Sequence, residues 1–181
     1  VREVIDHDEI SAVLASGGIS NFDDQTDWTL VVFKAFLSGM EIRHGRLGLR
    51  GFAVRVGQAS FPELVKAYGS DGGFEEPEYR LLPVRKRARV GLEKIAAIFN
   101  CACHLRVAVD SEPDAWVWTI ADCPLCNDPQ VESAVSHFML GLLQAYLSWI
   151  SGGKMFLIEE KACMADGAPS CIIHIHRLPI D

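Results

Sequence analysis

Four side chains in the carboxy-terminal third have the types and spacing of a metal site: His137, Glu160, Cys163 and Cys171. An imidazole, a carboxylate and two thiols are ligands that Zn²⁺ takes in a closed tetrahedral shell. Glu160 and Cys163 close a strand-like run at 154–160, and Cys171 follows the turn Asp166-Gly167-Ala168-Pro169, so a hairpin brings the two thiols to one end. Zinc is the expected cofactor, with inert buried cysteines or a redox pair as the other readings of the same residues. Cys123-Pro124-Leu125-Cys126 supplies alternative ligands, Cys123 and Cys126, for a four-thiolate site. That pair follows an antiparallel hairpin and no βαβ unit, which argues against thioredoxin-like chemistry. Cys101 and Cys103 are expected to pack as small hydrophobes. His174 and His176 share one face of the last strand, expected to be an exposed one.

The elements that must position these groups are legible from period and punctuation. Residues 104–109 and 115–120 alternate around Asp110-Ser-Glu-Pro-Asp114, which predicts a β-hairpin. Trp116 and Trp118 point the same way from it. A helix is expected over 129–150, apolar almost all round, with Ser133, His137, Gly141, Gln144 and Ser148 in one polar stripe whose plain reading is a face toward water. A second hairpin pairs 154–160 with 171–177. Upstream, helices are expected at 6–15, capped by Asp6 or Asp8, at 28–40, capped by the acidic 24–27, at 61–68, and from Pro83 onward. Gly45, Gly48 and Gly51 form no dinucleotide fingerprint; on a helix, Gly48 and Gly51 would permit close packing. Arg85, Lys86, Arg87 and Arg89 read as a solvated basic face. The sum is an α+β domain, an antiparallel sheet of two hairpins packed with helices, in which 1–81 is the amino-terminal helical part and 82–181 the core.

With 181 residues, 49% of them hydrophobic, and a net charge of −7, the chain is acidic and long enough to bury a core without disulfides. That charge argues against a nucleic-acid partner, whose protein footprint is basic. The longest apolar run, 138–150, is too short to span a bilayer. No signal-peptide profile opens the sequence, so a reducing cytoplasm is expected, with a homodimer left open as its assembly.

A ligand pocket is expected between the Trp116/Trp118 face and the 129–150 helix, with Phe99, Phe138, Leu142 and Tyr146 among its lining. The carboxy-terminal half, in the run 118–123, the helix from His137, and Glu160-x-x-Cys163 with Gly167 and Cys171, resembles the 4-vinyl reductase domain family. That family includes the bacteriochlorophyll-biosynthesis protein BchJ and sensory domains of aromatic-responsive transcription activators. The resemblance covers about residues 82–178. It implies a fold like that of TRAPP subunits, a buried pocket for an apolar or aromatic small molecule or a tetrapyrrole, and a structural zinc. Residue by residue it places Glu160, Cys163 and Cys171 on ligand positions and His137 where the family usually has cysteine. The function it implies is a carrier or sensor linked to bacteriochlorophyll biosynthesis; the alternative is a 4-vinyl reductase acting on a divinyl tetrapyrrole. No flavin or dinucleotide signature supplies that reaction with a hydride.

Overall fold

The computed structural model describes residues 4–20, 30–123, 126 and 134–180. In chain order the elements are α1 (His7–Ser16), α2 (Leu30–Tyr68), α3 (Pro77–Arg80), α4 (Val84–Ala102), β1 (Val107–Ser111), β2 (Ala115–Ile120), α5 (Ala134–Ser151), β3 (Met155–Ala162), a single 3₁₀ turn (Met164–Asp166) and β4 (Cys171–Ile180). Both hairpins form. Strand order is β1-β2-β4-β3, antiparallel throughout, so β4 of the second hairpin pairs with β2 of the first and joins the two.

Local chemistry explains the starts and stops. Asp6 caps α1, its Oδ1 accepting from the Glu9 amide at 2.9 Å, and the chain turns out at Gly18 in a left-handed conformation. Pro83 precedes α4, where its missing N–H costs nothing. The expected caps at 24–27, the helix start at 28 and the helix start at 129 lie outside the described residues. The two helices expected at 28–40 and 61–68 are parts of one helical run, broken once at Gly45 (φ 68°, ψ 175°).

Packing follows two clusters. The smaller joins α1 to α2 through Ile10, Val13, Leu14, Phe36 and Met40. The larger fills the space between α4, α5 and one face of the sheet. The most extensive helix contact is α2 on α5, and small residues make it possible. An added Cβ on Gly57 would overlap the Phe138 carbonyl and lie 2.9 Å from Leu142 N; one on Gly141 would lie 2.8 Å from Val54 C. The expected polar stripe of α5 therefore does not face water: Gly141 packs against α2, and Gln144 is buried. The Gln144 side chain accepts from the Phe156 amide at 3.2 Å, tying α5 to the start of β3.

Three further expectations are corrected. Cys101 and Cys103 are exposed, because Cys101 falls on the last turn of α4 and Cys103 caps its end, beyond the buried stripe. Arg87 leaves the basic face and turns inward, where its Nη2 donates to the Ile150 carbonyl at 2.5 Å and closes the end of α5. Gly51 takes no part in close packing, since nothing lies within 4 Å of where its Cβ would be.

Candidate functional site

Strand register decides which side chains enter the interior. Rows run across the inner face: Val107, Ile120 and Cys171; then Val109, Trp118, Ile173 and Glu160; then Trp116, Ile175 and Ile158. Trp116 and Trp118 share a face, as their alternation requires, and both are buried. Phe99 of α4 meets Trp118 edge to face at 6.4 Å, and Arg177 lies over the Trp116 ring at 5.6 Å.

Among the described residues the buried Trp118 indole N–H has no hydrogen-bond partner, and neither has Glu160 Oε1, two strands away on the same row. An orphaned donor and an orphaned acceptor thus flank Ile173. A buried indole N–H ordinarily finds a partner, and leaving a polar group unpaired costs about 1–3 kcal/mol. No such pair can be read from sequence, because it depends on which strands neighbour one another.

The rest of the expected lining divides. Tyr146 turns to α4, where its hydroxyl donates to the Arg87 carbonyl at 2.7 Å and meets the Tyr79 hydroxyl at 3.1 Å. Gly91 makes room for it: a Cβ there would lie 2.6 Å from the Tyr79 oxygen. Burial pushes both phenols above their ordinary range. Phe138 and Leu142 present their backbone to the α2 seam.

Four buried sulfurs meet where the loop after β2 reaches the turn between β3 and β4. Cys123, Cys126 and Cys171 lie within 4.8 Å of one another. Cys163 Sγ stands 3.8 Å from that of Cys126 and 3.9 Å from that of Cys171, and Cys126 and Cys171 are 3.5 Å apart. His137 and Glu160 are not part of this group. The neighbouring sulfur of Cys123 does most to push Cys171 up to about 12, and it drives Cys126 upward as well. Burial raises Cys163, with Glu160 beside it adding to the effect. The Met164 amide donates to Cys171 Sγ at 3.4 Å, and the Cys123 amide to Met164 Sδ at 3.4 Å. The arrangement fastens the β2 loop to the β3–β4 turn. The two remaining sequence-expected histidines are half-buried and paired with carboxylates, His176 with Glu159 at 3.1 Å and His174 with Glu112 at 3.9 Å.

No family model matches the sequence, and no curated protein matches it. Solved structures match the fold over nearly its whole length. An Fe(II) unliganded H-NOX protein mutant from K. algicida has a TM-score of 0.63 at 10% identity, covering 100% of this chain and 91% of that one. An H-NOX protein from S. oneidensis in the Fe(II)NO ligation state gives 0.58 at 12%, covering 93% and 87%. A structure described as probing heme distortion in the H-NOX family gives 0.57 at 11%, covering 99% and 90%. These likenesses overturn the resemblance to the 4-vinyl reductase family and the TRAPP-like fold implied with it, and BchJ and the biosynthetic link fall with them. Zinc as the cofactor is withdrawn too: His137 and Glu160 do not join the sulfur group, and the similar proteins are described by heme and Fe(II). At such identities it is the fold that is shared, and this chain has the α+β fold of the H-NOX structures.

Proposed function

We propose that the chain is a small-molecule-binding domain, a sensor or carrier, whose ligand is an apolar aromatic molecule of tetrapyrrole size or smaller. The ligand enters the interior bounded by α4, α5 and the inner face of the sheet. The single observation that carries this reading is the unpartnered Trp118 N–H, buried in a largely apolar core. Apolar walls with a few convergent polar groups are the ordinary make-up of such a site. Fold likeness to proteins described as binding heme supports the tetrapyrrole class.

The described interior leaves few free axial ligands for a heme iron. Heme iron takes an axial His, Cys, Met or Tyr. All six histidines are exposed or half-buried. The Tyr79 and Tyr146 hydroxyls are committed to each other and to α4 carbonyls, and the buried thiols to one another. Met139 keeps a buried thioether in the same core, and packing with the indole donor is what carries recognition here.

The test is titration with metal-free protoporphyrin, with naphthol as the smaller aromatic, followed by tryptophan fluorescence. Saturable quenching is expected. One neutral hydrogen bond is worth about 0.5–1.5 kcal/mol, so Trp118→Phe should weaken binding roughly two- to tenfold. Absence of saturable binding by the parent, or equal affinity in Trp118→Phe, refutes the reading.

A further inference from the structure

A second site lies away from this core. A groove of about 460 Å³ runs between α1 and α2, with Ile5, Met40, Leu47 and Phe52 as its apolar wall and Arg43, His44 and Arg55 at its ends. Carboxylate recognition is already visible at one end: Glu9 of α1 accepts from Arg43 Nη2 at 3.2 Å and lies 2.8 Å from His44 Nε2. At the other end Arg55 is exposed and uses one donor, to the Val4 carbonyl at 3.4 Å, although a guanidinium carries five.

Between those ends the floor is glycine. Gly48, Gly51 and Arg55 follow one another at helical spacing after the break at Gly45, and His44, just before it, lines the same groove. A glycine inside a helix costs about 0.5–1 kcal/mol relative to alanine. Gly39, Gly57 and Gly141 meet that cost by letting helices touch. Among the described residues Gly51 faces open space, and Gly48 meets only the side chain of His44, across the break at Gly45. Their effect is to keep a trough clear of side chains along about 10 Å of helix, seven residues at 1.5 Å each, from Gly48 to Arg55.

We propose that this groove binds a small amphiphilic carboxylate, its head on the unused donors of Arg55 and its apolar body lying over Gly51 and Gly48 between Leu47 and Phe52. An apolar trough ending in a planar, bidentate-capable cation is complementary to that chemistry and repels a cationic head on a body of the same shape. The body is an alkyl chain or a flat ring, and the shared carboxylate is what the site selects. The proposal does not rest on the interior site around Trp118.

Calorimetric titration of the full chain with decanoate, 1-naphthaleneacetate and decylamine tests it. One or both carboxylates should bind saturably and decylamine should not; the better of the two acids tells chain from ring. Gly51→Leu fills the trough where nothing stands in the way, so it should abolish binding while the protein melts no lower than the parent. Arg55→Gln should weaken binding at least tenfold, and Trp118→Phe should leave it unchanged. Failure of both acids to bind, equal binding of decylamine, or undiminished binding by a folded Gly51→Leu would overturn the proposal. Loss of binding in Trp118→Phe would assign the acids to the interior instead and overturn it as well.

Discussion

The same substitution at two points on α2 should have opposite signs. Gly57→Ala places a methyl group against the Phe138 carbonyl and 2.9 Å from Leu142 N, both backbone atoms of α5 that no rotamer change can move. Carbon prefers about 3.5–4.0 Å from its neighbours, so the two helices must part by roughly 0.5–1 Å or more along their seam. Overpacking of this kind costs about 1–3 kcal/mol and occasionally more, against which the gain in helix propensity returns up to about 1 kcal/mol. The seam is the largest helix contact in the fold, which places the overpacking term at its upper end and the net loss near 2 kcal/mol. Gly51→Ala meets nothing within 4 Å and keeps only the gain, about 0.5–1 kcal/mol. For a chain of this size each kcal/mol moves the melting temperature by about 2–4 °C. Calorimetry should therefore find Gly57→Ala lower by roughly 4–8 °C and Gly51→Ala higher by about 1–4 °C. A Gly57→Ala protein melting with the parent, or a Gly51→Ala protein falling with Gly57→Ala, would show that the helices do not cross as described.

Gly141→Ala, on the other side of that seam, should behave as Gly57→Ala does, and the double variant should lose less than the sum, because the helices part only once; additive losses in paired melts would contradict a shared seam. Tyr79 and Tyr146 have phenols raised by burial, so their neutral forms favour folding below the unfolded value near 10, and that contribution is lost as pH rises beyond it. Melting temperature should drop above about pH 10, and the drop should shrink in Tyr146→Phe; an equally steep fall in that variant would place its cause elsewhere. Cys101 should react with a thiol reagent in the native protein, while Cys123, Cys126, Cys163 and Cys171 react only on unfolding. Mass mapping of early label on any of those four would refute their burial.

Legibility in the sequence tracks how local each determinant is. Both hairpins, the shared face of Trp116 and Trp118, the Asp6 cap and the Pro83 start depend on neighbours within a few residues, and all are present. Glycine roles depend on what stands opposite. Gly48 and Gly51 look like packing glycines by spacing, yet the helix contact is made by Gly57 and Gly141, which carry no mark in the sequence that sets them apart. The sulfurs are legible in part: the hairpin turn brings Cys163 to 3.9 Å from Cys171, while their other neighbours come from a distant loop. Glu160-x-x-Cys163 suggests one ligand set, but register turns Glu160 into the row of Trp118 and Ile173, while the loop after β2 delivers Cys123 and Cys126 to Cys171.

That reassignment bears on function. The hairpin keeps Cys163 and Cys171 together, 3.9 Å apart, with Glu160 beside Cys163, yet the solved structures that share this fold are H-NOX proteins. The glutamate oxygen that was expected to face a metal lies instead on the inner face, unpartnered, in line with an unpartnered indole N–H. Two such groups on one row of an apolar sheet destabilise the ligand-free fold by the desolvation of each. A molecule that presents an acceptor to Trp118 and a donor to Glu160 relieves both at once. Binding and stability are then linked through the same two atoms, since a ligand that binds only the folded state raises its stability. On this argument Glu160→Gln, which offers a neutral amide where the carboxylate stood, should raise the melting temperature of the free protein and reduce the shift that an interior ligand produces.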